Sequence, residues 1–202
     1  MTLDKLDLLD WKRRIFSLYG EVRAEPDPAS AWKLWRHQRD GLFREHSQSP
    51  LPSSQRSGFE GLEYFDYDPA ARVIAEVTPA DGASYEVPTS DDGRYTLTRI
   101  ATATFELTGV DLGLELYWLE GYGGGLFLPF RDETSGTETY GAGRYLLDTI
   151  KGADLGTQDG SLILDFNFAY NPSCSYDPRW VCPLAPPPNR LGAAIRSGEK
   201  HR

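Results

Sequence analysis

Most of the side chains able to do chemistry crowd into one stretch, from Phe127 to Asn189. It carries Arg131, Asp132, Glu138, Tyr140, Arg144, Asp165, Asn167, Asn171, Cys174, Tyr176 and Cys182, in loops full of Gly, Pro, Asn and aromatics. Within T-S-G-T-E-T-Y-G-A-G-R-Y, Gly136, Gly141 and Gly143 permit positive φ and close backbone approach. Arg144 can hold a carboxylate or phosphate through two parallel N–H bonds, and Tyr140 and Glu138 add a phenol and a carboxylate. That set suits an anion- or polar-ligand-binding loop. It equally suits an ordered hairpin loop in which Arg144 is salt-bridged to a carboxylate such as Asp132. It is not a nucleotide fingerprint, because G-A-G-R lacks the third glycine and runs on into Y-L-L as a strand.

In L-D-F-N-F-A-Y-N-P, a strand from Leu162 to Phe168 would put Asp165 and Asn167 on one face and Leu164, Phe166 and Phe168 on the other. The polar pair would then face solvent or a polar lumen, where a carboxylate can act as acid, base or clamp. Seven residues separate Cys174 from Cys182, too many for a paired metal-binding motif, and there is no second pair. The three histidines, His37, His46 and His201, fall in helix or tail positions. The expectation is therefore no metal and no cofactor, with Cys174 and Cys182 as structural thiols that could pair if oxidised.

Two functions follow. One is a small-molecule or anion-binding domain whose site draws on Asp132, Glu138, Tyr140, Arg144, Asp165, Asn167, Asn171 and Tyr176. If it hydrolyses its ligand, Glu138 or Asp165 is the candidate base and Arg144 the clamp. The other is a non-catalytic structural or interaction domain whose polar C-terminal motif brackets its own loops.

The elements that must position these residues are legible. Leu8, Trp11, Ile15, Leu18 and Val22 step by three and four, giving one helix with a single apolar face. E-P-D-P ends it, and Asp27 with Pro28 can start a second helix whose stripe is Trp32, Trp35, Leu42 and Phe43. After a Ser/Pro/Gln loop at 47–57 the pattern turns to strands. Leu62 to Asp68 and Arg72 to Val77 flank D-P-A-A as a hairpin, and Tyr95 to Leu107 and Leu112 to Trp118 alternate clearly. Leu126 to Phe130, Tyr145 to Thr149 and Leu162 to Phe168 follow. The fold class is mainly β with N-terminal helices, an antiparallel, strongly curved or barrel-like sheet of about eight strands. The helical segment, 1–46, should pack on a β domain, 59–202, as one structural unit.

With a net charge of -9 and no basic cluster, the chain is a poor partner for nucleic acid or an anionic membrane. No leader peptide or membrane span is evident, so a cytoplasmic protein acting on an unknown small molecule is the expectation. The stiff run C-P-L-A-P-P-P-N-R-L should lie against the chain's own barrel.

The pattern L-F-L-P-F-x-D-x-T-S-G-x-E-T-Y-G-A-G-R-Y-L, then D-F-N-x-A-Y-N-P-x-C-x-Y, then C-P-L-x-P-P-x-N-R-L resembles the prokaryotic family known as domain of unknown function 1684. The similarity extends to W-R-x-x-R-D at Trp35 to Asp40, F-E-G-L-E-Y-F at Phe59 to Phe65 and G-E-K at Gly198 to Lys200. It implies a single domain and no particular reaction. The chain departs from the pattern at Pro188, where the family typically carries Glu.

Overall fold

A computed structural model of the chain describes residues 4–201. Two long helices come first, α1 (Asp4–Ala24) and α2 (Pro28–Glu45), then the single turn α3 (Ser53–Arg56). The α2 start is built as its sequence predicts. Asp27 is the N-cap, its carboxylate accepting the Ser30 N–H, and Pro28 occupies the first turn, where no N–H is missed. Trp32, Trp35, Leu42 and Phe43 are all buried. The α1 stripe behaves differently: Leu18 and Val22 are buried, but Leu8 is 38% exposed and Trp11 and Ile15 are only half-buried.

Eight strands form one antiparallel sheet: β1 (Arg72–Pro79), β2 (Ser84–Pro88), β3 (Arg94–Leu107), β4 (Val110–Leu119), β5 (Gly125–Phe130), β6 (Arg144–Asp148), β7 (Thr157–Gln158) and β8 (Ser161–Asp165). The order is β6-β5-β4-β3-β1-β8-β7, with β2 also paired to β3. The end strands do not pair with each other, so the sheet is a curled half-barrel and not a closed one. The β3–β4 hairpin turns at Thr108 and Gly109, both at positive φ, as a right-twisted ladder requires. Strand β3 is long enough for two partners on one edge, β2 along Arg94 to Thr98 and β1 along Ala101 to Thr104. Its ladder with β4 shifts register between Arg99 and Ala101, and such a bulge bends the strand.

Two sequence expectations are corrected. Residues 62–68 do not form a hairpin with β1. They make a single bridge, Tyr64 to Glu199, while β1 pairs with β3 and β8. Asp68 caps a 3-10 turn at Pro69–Ala71, and Tyr64 is drawn against Trp32 and Trp35, so aromatic burial outweighs the local pairing. The strand expected from Leu162 to Phe168 ends at Asp165. There the carboxylate accepts the Asn167 N–H and starts a 3-10 turn over Phe166–Phe168. The period-two alternation stops with it, so Asp165 and Asn167 are both fully buried, on neither a solvent face nor a lumen.

Three apolar clusters result. The largest is the sheet's own, with Ala75, Ala103, Leu114, Leu128, Leu146 and Phe166, closed by Leu191 and Ile195 of the C-terminal tail. In the second, Leu18, Val22, Trp32 and Trp35 of the helices meet Ala153, Leu155 and Phe168. The third is small: Val87, Leu97, Tyr117, Phe127, Tyr145 and Cys182.

The C-terminal run is fastened by one side chain. Asn189 is fully buried; its Oδ1 accepts the Glu115 N–H at 2.8 Å, and its Nδ2 donates to the carbonyls of Glu115 and Pro129 at 2.9 and 2.8 Å. A primary amide presents an acceptor and two donors in one plane, so it serves two backbone partners as a neighbouring strand would. Asn189→Ala is predicted to destabilise the fold by about 1–3 kcal/mol, because it orphans buried backbone groups. The check is a lowered urea midpoint at unchanged slope, and an unaltered midpoint would refute the role.

Candidate functional site

The Gly-rich motif is held from inside. Asp132 Oδ1 accepts the Thr134 N–H and hydroxyl at 3.1 and 2.6 Å, closing a tight turn. Its Oδ2 accepts from Arg144 Nη2 at 2.9 Å and from the Ile195 N–H at 3.0 Å. Arg144, also fully buried, donates as well to the carbonyls of Ile195 and Ser197 and lies over the Phe130 ring. Burial pulls its pKa down, and Asp132 opposes the fall. Gly143 sits at φ 101 beside the Phe130 carbonyl, 2.5 Å from where a Cβ would lie, so only glycine fits the approach. With both of its Nη groups engaged, Arg144 serves the tail.

Asp165 and Asn167 are likewise satisfied internally. Asn167 Oδ1 accepts the Asp68 N–H at 2.9 Å, and its Nδ2 donates to the Asp68 carbonyl and to Asp165 Oδ1. Burial pushes the Asp165 carboxyl up to about 6, against the hydrogen bonds from Asn167. Glu138 is at the surface, with both oxygens on Arg196. Tyr140 lies against His201, its hydroxyl 4.0 Å from Cys174 Sγ. The candidate catalytic carboxylates, Glu138 and Asp165, thus sit in separate networks.

Asn171 and Tyr176 belong to another network, centred on Glu199. Glu199 Oε2 accepts from Arg39 Nη1 and from the Asn171 N–H, each at 3.1 Å, and Oε1 accepts from the Tyr176 hydroxyl. Arg39 also donates to the Tyr64 hydroxyl at 2.5 Å and stacks on Trp35, Phe43 and Tyr170. The Arg39–Glu199 side chains are only 7% and 1% exposed. Burial works against the Arg39 charge, but Tyr64 and Glu199 outweigh it and hold the pKa well above its ordinary value.

Arg39 opens on its other side into a cavity of about 270 Å³. Leu8, Trp11 and Ile15 of α1 form one wall; Phe43 of α2, Tyr145 of β6, Tyr170, Tyr176 and Trp180 form the others. The exposed half of the α1 stripe is thereby accounted for: it lines a cavity. The lining carries three cations, Lys12, Arg39 and Lys151, and no carboxylate. Counter-charges stand behind two of them, Glu199 behind Arg39 and Asp148 at 3.5 Å from Lys151 Nζ. Of the ligand-binding residues expected from sequence, Asn171 and Tyr176 line this cavity; Asp132, Glu138, Tyr140, Arg144, Asp165 and Asn167 do not. Two polar atoms of the lining residues, Asn171 Oδ1 and Trp180 Nε1, are buried without a hydrogen-bond partner.

The sequence reading passed over Arg39, Glu199 and Lys151. Arg39 carried a signal, since it lies four residues after Trp35 and four before Phe43, a charge on an apolar stripe. Lys151 and Glu199 carried none that local spacing could reveal.

Cys182 lies on the cavity wall and is buried in the third cluster; Cys174 is half-buried and packs against it. Both are free thiols. Among the described residues no group of three or more His, Cys, Asp or Glu is placed to hold a metal ion, and no helix is long and apolar enough to cross a membrane.

Residues 57–200 match the family model described as protein of unknown function (DUF1684). The chain is also similar to a structure solved by NMR in solution, an uncharacterised protein from gene locus rrnAC0354 of Haloarcula marismortui. The two share 37% sequence identity over 85% of this chain and 92% of that one, with a TM-score of 0.58. No curated protein matches.

The Asp165 environment gives a prediction in pH. A carboxyl raised from 3.8 to about 6 binds its proton more tightly folded than unfolded. Stability therefore falls as pH rises through that window and is level above it. Asp165→Asn keeps the acceptor for Asn167 and removes the titration. The stability of Asp165→Asn relative to the parent should rise between about pH 4 and pH 6 and then plateau. Denaturant titrations across this range test it, and a pH-independent difference would sink it.

Proposed function

The chain belongs to the DUF1684 family of proteins of unknown function, and we propose that it binds a small apolar anion in the cavity between α1, α2 and the C-terminal belt, the irregular segment 166–201 that follows β8. The observation that carries this reading is the cavity's lining: aromatic and aliphatic walls with three cations and no carboxylate, in a chain whose net charge is -9. A cluster of one sign set against the net charge of the whole molecule selects for the opposite charge, and low-dielectric walls strengthen the attraction. Apolar walls with a few placed polar groups are the common form of small-molecule sites. A cavity of about 270 Å³ exceeds the roughly 150 Å³ that accommodates a benzene ring. It therefore suits a bicyclic aromatic or medium-chain acid, with its body against Trp11, Ile15 and Tyr170 and its acid group toward Lys151 and Arg39.

A hydrolytic step would need a base in the cavity, and neither Glu138 nor Asp165 lines it. The bracketing function of the Gly-rich motif is favoured by a separate observation, the internal partners that Asp132 and both Nη groups of Arg144 find. The two readings are compatible: brackets hold the belt, and the belt closes one side of the cavity.

Calorimetric titration with 2-naphthoate and with its neutral isostere 2-naphthamide tests the proposal. The anion is expected to bind more tightly, with a negative heat-capacity change from apolar burial. Lys151→Met should weaken 2-naphthoate by roughly tenfold, about 1.4 kcal/mol, and leave 2-naphthamide unchanged. Saturable binding of neither probe to the folded protein, or equal binding of both, would overturn the reading.

A further inference from the structure

We propose that Cys174 and Cys182 form a redox-active dithiol, in which Cys182 reduces a small hydroperoxide entering through the cavity and Cys174 resolves the product to a disulfide. The proposal does not rest on the ligand reading. It rests on where the two thiols lie. They are eight positions apart in sequence, in a chain with no other cysteine, yet the fold packs Cys174 against the apolar cluster that buries Cys182, and Cys182 alone of the two lines the cavity. Each is held on its own scaffold. Cys174 lies in the 3-10 turn Ser173–Ser175. The Cys182 backbone is clamped by Ser90, which receives the Cys182 N–H at its hydroxyl at 3.1 Å and donates its own N–H to the Cys182 carbonyl at 3.0 Å. Cys182 cannot drift away without breaking its two hydrogen bonds to Ser90 in the β2–β3 turn.

The surroundings divide the roles. The neighbouring Cys174 favours the Cys182 thiolate; burial opposes ionisation, but Lys151 and the backbone of Cys174 and Ser173 add to the effect, and the Cys182 pKa is lowered to about 6. Cys174 moves the opposite way, its pKa raised by the neighbouring Cys182 and by burial. A thiolate beside a thiol is the starting state of a two-step oxidation. Cys182 itself is 1% exposed and meets the cavity, so a hydroperoxide or another small reagent reaches it through that opening.

The chemistry balances as follows. The Cys182 thiolate attacks one peroxide oxygen, a sulfur–oxygen bond forms, the oxygen–oxygen bond breaks, and the departing oxide takes the Cys174 proton. Cys182 is now a sulfenic acid and Cys174 a thiolate. Cys174 attacks the Cys182 sulfur, the sulfur–sulfur bond forms, and hydroxide leaves and is protonated by solvent. One hydroperoxide is reduced to water or alcohol, and two thiol sulfurs are oxidised. The dithiol returns with two equivalents of a low-molecular-weight thiol. The first attacks the more accessible Cys174 sulfur and expels Cys182, whose stabilised thiolate is the better leaving group; the second releases Cys174.

The test treats the folded full-length protein with equimolar hydrogen peroxide, then alkylates and maps the thiols by mass spectrometry. The expected result is loss of both thiols, with an intramolecular bond between Cys174 and Cys182. Cys174→Ser should stop at a sulfenic acid on Cys182 that dimedone traps, and Cys182→Ser should leave Cys174 reduced. If a serine variant fails to fold, alkylation of the untreated parent near neutral pH decides, with Cys182 expected to be modified before Cys174. Two thiols that survive peroxide in the parent, oxidation of Cys174 in Cys182→Ser at the parental rate, or alkylation of Cys174 first would each overturn the proposal.

Discussion

The buried ion pair between Arg39 and Glu199 joins parts of the chain that are far apart in sequence. Arg39 comes from the middle of α2 and Glu199 from near the end of the chain, and between them they engage Tyr64, Asn171 and Tyr176. The Glu199 backbone continues the same tie, donating to the Ala169 carbonyl and bridging to Tyr64. An unpaired charge at such depth costs several kcal/mol, so each partner is stable only with the other in place. The helices, the extended segment after them and the tail are therefore assembled as a set, and the cavity beside Arg39 exists only once they are.

The polar residues of the C-terminal half divide into two groups by what they face. Asp132, Arg144, Asp165, Asn167 and Asn189 face backbone. They satisfy carbonyls and N–H groups in a belt that has little regular structure of its own, and a belt this buried needs them because its peptide groups have no ladder to pair with. Lys151, Asn171, Tyr176 and Cys182 lie along the cavity. The two groups alternate in sequence and look alike there, so a polar residue in an ordered loop is as good a sign of a bracket as of a site.

How far the sequence could be read follows from the range of each interaction. The capped start of α2, the β3–β4 hairpin and the antiparallel class came from interactions within a few residues, and they were legible. Residues 62–68 and the end of β8 were not. In each, a local strand pattern was overruled by partners about 25 to 135 positions away: Tyr64 by Arg39 and Glu199, and Asn167 by Asp68 and Trp32. Burial of an aromatic or an amide in a finished core outweighs the small preference of a few residues for an extended chain.

The sequence by itself determined the inventory: an acidic chain with two amphipathic helices, a run of short antiparallel strands, and a C-terminal half dense in polar side chains and two cysteines. It also placed Arg39 on an apolar stripe, where a charge needs a partner. Only the tertiary structure decided who that partner is, that the α1 stripe ends in a cavity, that the cavity's charged lining is all cationic, and that the two thiols share one apolar cluster. Periodicity and capping act within one or two turns of chain, whereas ion pairing, cavity formation and thiol clustering depend on distances through space that no local spacing encodes.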